Sequence, residues 1–519
     1  GIADDHIRFI LFFRVWYRLV YTLYIYYATT LLNLAEKLLN DLRDARDRQN
    51  QTPQNSSRPS GSYAPWEQAQ NSTTRKQTEE PDDPERTESE TPVVESNEVE
   101  KKAKPDEVKK RKSGKQPGAK GFGRTAELPI TGEKIHKAQE CAGCGKALGE
   151  DAPFEKRTGS YTLDIKKGGV GLEVTNTLHI YGITGCVCGH WTQSEPGRCE
   201  PEEGWDVEIT EWHLVGPTLA SLIICLSLRM RLSRVRIREF LAVWLGISLS
   251  KGCISQCIAE GGRAAAPLED EFVAEIQQSK LLHVDETGWK ENGKAVWLWV
   301  LKTARVTFYM IGSRSWDTIA DIMEHFAGWL MSDGYGQYRK YGKRLRCLAH
   351  IIRKARGLEE SCHPEAAEFG KKVFEFIRLF IRGIYEARGD PAIDLRERYS
   401  EKLEALKTLC EKYRDHEHEK TKKLARELLN DWDAIWNVLQ YPQLPITNNP
   451  AEQALRHWVI SRKISYGTRT KQGSRAYTIL ASVIDTCRQR DVSPWDYIAQ
   501  VIGQRRINNP VPPLPEPVV

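Results

Sequence analysis

The spacing of apolar positions changes several times along the chain, and each change marks a boundary. Over residues 1–48, Tyr17, Tyr21, Tyr24, Ala28, Leu31, Ala35, Leu38, Leu42 and Ala45 follow alternating steps of four and three. Such an a/d seam predicts a coiled-coil helix. The stretch between Arg18 and Glu36 carries no charge, which is the short limit for a bilayer span, but Arg8, Arg14 and Arg18 argue against insertion. Periodicity vanishes over 49–120. Residues 121–205 read as short strands and turns around cysteine pairs. Residues 206–278 read as helices, nearly unbroken apolar from Leu214 to Leu232 and amphipathic from Ile237 to Leu245. Over 279–349 the runs LLHVDETGW, AVWLWVLKT, VTFYMIGS and GWLMSDG are rich in β-branched and aromatic residues, predicting four strands. Residues 350–442 are charged, poor in glycine and helical in pattern. Residues 443–505 hold further helices, and 506–519 form a tail. The fold class is therefore α/β and multidomain.

Charge changes this picture locally rather than globally. A net +5 over 519 residues names no partner. From Glu79 to Glu100, however, ten acids accompany one base, and from Lys101 to Arg124 ten bases accompany two acids. Segregated charge with few apolar residues predicts a disordered linker. Its basic end could lie along phosphates or serve only as a solvated tether. Twelve cysteines are ordinary usage. No signal-peptide pattern opens the chain, so a reducing compartment is expected, with cysteines as thiols or metal ligands.

Four constellations could carry chemistry. Cys141-x-x-Cys144 and Cys186-x-Cys188, each in a Gly-rich turn, have the residue types to close a tetrahedral, structural Zn²⁺ site; His190 is a possible substitute ligand. Gly246 between two helical runs, with Ser250 as an N-cap, suits a helix-turn-helix in which Lys251, Ser255 and Gln256 could face DNA. Any helical hairpin with a glycine turn would look alike. Asp285 and Asp333 each close an apolar strand, and Glu452 opens a helix after TNNP. Such acids can converge on a pair of Mg²⁺ or Mn²⁺ ions, although acids in strand-end turns are common. Finally, Cys347 and His350 stand at i, i+3, a pair that more often packs than binds metal.

The string LLHVDETGWKENGKAVWLWV resembles the first catalytic block of the insertion-sequence-66 family transposases. LMSDGYGQY with RCLAHIIRK resembles the second, and ITNNPAEQALRHWVISRKISYGTRTKQGSRAYTILASVIDTCRQRDVSPWDYI the third. The similarity runs from about residue 112 to 502, through the GKQPGAKG stretch, the cysteine pairs and GISLSKGCIS. It implies a DDE transposase with an RNase H-like mixed-sheet core interrupted by a large helical insertion. Asp285, Asp333 and Glu452 would be its first, second and third acids, holding two Mg²⁺ (or Mn²⁺) beside a structural Zn²⁺. Arg456, Arg462 and Lys463 would face DNA phosphates. The implied partners are terminal inverted repeats, target DNA, further copies of the chain and accessory proteins of the same element, in a prokaryotic cytoplasm. A decayed relative that binds DNA without cutting it is the alternative. The CVCGH pair and the aromatic N-terminal helix depart from the family pattern.

Overall fold

The computed structural model describes residues 128–390 and 394–517, together with 36–39, 42, 43 and 46. The last group is helical, with Leu38, Leu39 and Leu42 exposed. The rest of the predicted N-terminal seam and the linker expected over 49–120 lie outside the described residues. Among the described residues no helix is long and apolar enough to cross a membrane.

The first sheet holds β1 (Gly132–His136), β2 (Phe154–Lys167), β3 (Leu172–Gly185) and β4 (Trp191–Gln193). β1 runs parallel to β3, while β2 and β4 pair with β3 antiparallel. Four helices follow: α1 (Pro217–Leu228), α2 (Arg234–Leu245), α3 (Lys251–Ala265) and α4 (Leu268–Gln277). α1 lacks a capping side chain at Gly216. The Asp164 carboxylate on β2 accepts from Leu219 N at 2.7 Å instead, and a Cβ at Gly216 would meet that carboxyl at 2.2 Å. α2 and α3 are joined as the local chemistry predicts. Gly246 adopts φ 65°, a left-handed geometry that glycine enters without penalty, and Ser250 Oγ accepts from Cys253 N at 3.1 Å.

The second sheet comprises β5 (Leu281–Glu291), β6 (Lys294–Lys302), β7 (Thr307–Gly312), β8 (Trp329–Ser332) and β9 (Arg344–Arg346), with a short helix, α5 (Ala320–Glu324), before β8. Its order is β7-β6-β5-β8-β9. The β5–β6 and β6–β7 pairs are antiparallel, and β5–β8 and β8–β9 are parallel. Leu282, Val284, Leu298, Trp299, Val300, Leu301 and Leu330 are buried, as expected of a sheet covered on both faces.

Between β9 and the return to this sheet lie α6 (Leu348–Glu359), α7 (Pro364–Gly389), α8 (Leu395–Arg398), α9 (Ser400–Tyr413), α10 (Glu419–Asn430) and α11 (Trp432–Gln440). They enclose an apolar core of their own around Phe369, Phe380, Leu406 and Trp436. A buried ionic network ties this core to β9. Asp431 meets Arg344 at 2.7 Å, Arg339 at 2.9 Å and Arg346 at 3.1 Å, while Lys354 holds Glu427 at 2.6 Å.

The chain then returns through α12 (Asn449–Ser465), α13 (Lys471–Gln489) and α14 (Pro494–Arg506). α13 protects the edge of β7, whose Thr307 and Tyr309 N–H groups donate to Thr486 Oγ1 and Ser482 Oγ at 3.0 and 2.9 Å. An edge strand with satisfied donors no longer invites pairing with another chain. Arg506 on α14 forms a buried, two-pronged pair with Glu260 on α3, both contacts 2.8 Å. The tail packs as well: Leu514 is buried and its N–H donates to the Glu271 carboxylate.

Candidate active site and metal centres

The sequence expectation placed Asp285 at a strand end, and this needs correction. β5 continues to Glu291 because the β6 hairpin carries its pairing that far. What ends near Asp285 is the parallel pairing with β8, whose last pair is His283 with Met331. Two further residues along each chain lead to Asp285, still within β5, and to Asp333, in the turn just after β8. Asp333 follows β8 directly, and its Oδ1 accepts from Tyr335 N at 2.8 Å. The turn needs Gly334, where a Cβ would lie 2.6 Å from the Arg346 guanidinium.

Glu452 sits in the first turn of α12, where the partial positive charge of the helix terminus favours a carboxylate. Asn448, fully buried just before that helix, fixes its approach. Its Nδ2 donates to Val284 O at 2.9 Å, its Oδ1 pairs with His283 Nδ1 at 3.1 Å, and its N–H donates to Cys347 Sγ at 3.2 Å. The residue preceding Asp285 and the turn preceding Glu452 are thus stitched by one amide.

Charge links the three acids, although among the described residues their oxygens do not gather within 4.8 Å of one another as the thiols do. Desolvation, then the charges of Asp333 and Glu286 and, more weakly, Glu452 push the Asp285 carboxyl well above the ordinary carboxylate range, against a stabilising N–H from Glu286 at 2.9 Å. Glu286 is an acid that sequence reasoning missed. Its side chain is almost sealed, held by the Tyr338 hydroxyl and by Arg314 at 3.0 Å. Arg314 in turn lies over Trp297 and Tyr335, 4.1 and 4.3 Å from the ring centres. Nothing in the local pattern sets Glu286 apart, since its partners lie elsewhere in the chain. Asp285, Asp333 and Glu452 offer only hard oxygen donors, the set that suits Mg²⁺ or Mn²⁺. The repulsion burdening Asp285 is what a dication there would relieve.

The thiol cluster also assembles. Cys141 Sγ lies 3.6 Å from Cys188 Sγ, and Cys144 Sγ 3.7 Å from Cys186 Sγ. All four sulfurs lie within 4.8 Å of one another. Four thiolates ~2.3 Å from one Zn²⁺ sit about 3.8 Å apart, so the set fits that ion. Each pair occupies a tight turn with a left-handed glycine, Gly145 or Gly189. His190 stands outside the set, its ring against Gly143.

A second mixed cluster forms beside the acids. Cys347, at the start of α6, and His350, one turn later, meet Glu452 with their ligand atoms within 4.8 Å of one another. Burial, then Arg353, Lys354 and Arg346, push His350 down to about 3. Its 3.6 Å approach to Glu452 Oε1 is therefore that of a neutral ring.

Lys251, Ser255 and Gln256 lie exposed on α3. Arg462 is partly committed to β5, donating to Gly288 O and Thr287 Oγ1, whereas Lys463 is exposed. Arg456 lines a cavity of about 540 Å³ together with Arg229, Arg231, Lys302 and Arg488; Asp485 is the one acid in its wall.

A family model described as "Transposase IS66 family" matches residues 213–476, a span that takes in all three acids and begins after the thiol cluster. Two curated relatives come from Sinorhizobium fredii. "Uncharacterized protein y4qI" is 24% identical over 291 residues, covering 50% of this chain and 53% of its own length. "Uncharacterized protein y4jO" is 26% identical over 174 residues, covering 34% of this chain and 52% of its own. The chain spans about half the length of the curated relatives it matches.

Proposed function

This chain belongs to the IS66 transposase family, and from that premise we propose that it cleaves DNA strands at the ends of an insertion sequence and joins them to target DNA. What supports the reading is that the parallel pairing of β5 with β8 runs to His283 and Met331, two residues short of Asp285 and Asp333, and that the charges of Asp333 and, more weakly, Glu452 bear on Asp285. Three antiparallel strands continued by two parallel ones support an RNase H-like core.

Asp285, Asp333 and Glu452 would hold divalent Mg²⁺ or Mn²⁺. The bound ions supply charge neutralisation at phosphorus and an activated nucleophile at neutral pH. The protein's own contribution is placement. The strands fix two carboxylates, the Asn448 stitch fixes the third, and Glu286, spent on Tyr338 and Arg314, walls the site without offering a free oxygen. In the first step water adds in line to the phosphorus at the element's end, the bond to the 3′ oxygen breaks, and that oxygen leaves as a hydroxyl. In the second, this 3′-OH attacks a target phosphodiester, forming one P–O bond as another breaks. No covalent link to the protein is required.

DNA is held by charge. The five cations around the 540 Å³ cavity, with Lys463, suit phosphates, and the exposed Lys251, Ser255 and Gln256 face of α3 suits base edges in a helix-turn-helix. The thiol cluster, taken as a structural Zn²⁺ site, steadies the module before it, and the exposed leucines at 38, 39 and 42 suit pairing between copies.

The test is isosteric. Asp285→Asn, Asp333→Asn and Glu452→Gln should each lower Mg²⁺-dependent nicking of a duplex bearing the element's ends by at least ~100-fold, with DNA affinity retained. Full activity in Glu452→Gln would remove it from the reading. A wild-type chain that binds such DNA yet never cuts it would favour a decayed, binding-only relative.

A further inference from the structure

The trio of Cys347, His350 and Glu452 is not explained by Mg²⁺ chemistry, since Mg²⁺ has little use for sulfur or imidazole. Two of its atoms are anomalous. His350 Nδ1 and Glu452 Oε1 are both buried from solvent without a hydrogen-bond partner, although the Arg353 guanidinium stands 3.8 Å from that oxygen. They stand 3.6 Å apart, too far for a good hydrogen bond. Nitrogen and oxygen ligands ~2.0–2.1 Å from one tetrahedral ion lie about 3.4 Å apart, close to the separation seen.

The third donor is a buried thiol, which a bound dication would deprotonate. Cys347 Sγ is fully buried and accepts the Asn448 N–H at 3.2 Å, the kind of outer hydrogen bond that orients and tunes a metal-bound group. A thiolate and a carboxylate together balance the charge of a dication. Three protein ligands leave a fourth position open, as in sites that exchange a water or a substrate atom.

We propose that Cys347, His350 and Glu452 form a binding site for a borderline-soft transition-metal dication of the Zn²⁺ class, sharing Glu452 with the acidic cluster. The binding itself stands apart from the proposed activity. One consequence rests on that activity: an ion held here draws Glu452 away from Asp285 and Asp333, so zinc inhibits the Mg²⁺-dependent reaction.

The experiment is metal stoichiometry on the full chain after equilibrium dialysis against Zn²⁺, read by elemental analysis. Wild type should hold about two ions, one for each thiol-bearing cluster. Cys347→Ser and, separately, His350→Gln should each hold one, and Cys144→Ser should also hold one, at the trio. Co²⁺ loaded into Cys144→Ser should show a thiolate-to-cobalt band that His350→Gln weakens and Cys347→Ser, added to it, removes. If Cys347→Ser proves misfolded by circular dichroism, His350→Gln decides, because its side chain is not sealed in the core. Wild type holding a single ion that only Cys144→Ser removes, or Cys347→Ser and His350→Gln retaining both ions, would overturn the site. In the nicking assay, the zinc concentration for half inhibition should rise at least ~10-fold in His350→Gln. A wild type that never nicks would sink the proposed function while leaving the stoichiometry to judge this site.

Discussion

Replacing Asp285 by Asn should stabilise the metal-free protein, and the geometry sets the size of the effect. Asp333 is the charge that weighs most on Asp285, and with strands ~4.8 Å apart the two carboxylates are taken to repel at a separation on the order of 5 Å. At an effective dielectric of ~20 that repulsion is about 3 kcal/mol, to which desolvation adds and from which the Glu286 N–H subtracts. Asparagine removes the charge, keeps the shape and can still accept that N–H. The net gain should be about 1–3 kcal/mol. The pH dependence carries the sign. The carboxyl titrates higher in the folded chain than in the unfolded one. Between those two values the folded state keeps a proton that the unfolded state has lost, so wild-type stability falls as pH rises through that window. The variant lacks this slope, and the gap should close as pH approaches ~4, the unfolded value. Denaturant melts in a chelator, repeated across pH and then with excess Mg²⁺, measure all of this. Mg²⁺ should raise wild type by about 2.7 kcal/mol at a hundred times its dissociation constant and leave the variant nearly unmoved. A variant less stable than wild type in chelator at neutral pH, or equal Mg²⁺ gains in both, would refute the reasoning.

Other expectations follow from single contacts. Asn448→Ala should cost about 1–3 kcal/mol, for the stranded His283 and Val284 groups, and should lower nicking beyond what the stability loss explains; unaltered nicking would show that Glu452 needs no stitch. Against the upward push of desolvation, Arg339 and Arg344, with the charge of Arg346, hold the Asp431 carboxyl below its ordinary value. Its contribution is present above the unfolded value near ~3.9 and is lost as pH falls through the folded one. Asp431→Ala should therefore destabilise by about 3–5 kcal/mol at neutral pH, leaving the buried Arg344 unpaired and Arg346 with Glu427 alone, and calorimetry should show this cost shrinking in acid. A thiol-reactive chelator should remove zinc and lower the thermal stability of residues 128–205, read by hydrogen exchange; Cys188→Ser should mimic it.

How much the sequence disclosed depended on how local each cause was. The four apolar runs of 279–349 became β5 to β8, and the Gly246 turn and Ser250 cap appeared where their chemistry placed them. β9 escaped because it is three residues long and two of them are buried arginines, which make strand-like sense only when Asp431 and Glu427 arrive from far along the chain. Asp285 reads as a strand end because HVDET loses its apolar run there, while the hairpin with β6 carries the pairing onward. Glu286, Tyr338 and Arg314 gave no signal, since none is unusual until the fold makes them neighbours. Cys347 and His350 were visible as a pair, but their meeting with Glu452 depends on the Asn448 turn.

Glu452 arrives only after the chain has laid down a separately cored helical block. A ribosome that stops anywhere within that block releases a product with Asp285 and Asp333 but without Glu452. Under the function proposed above, a copy broken there lacks the third acid and should not cut DNA.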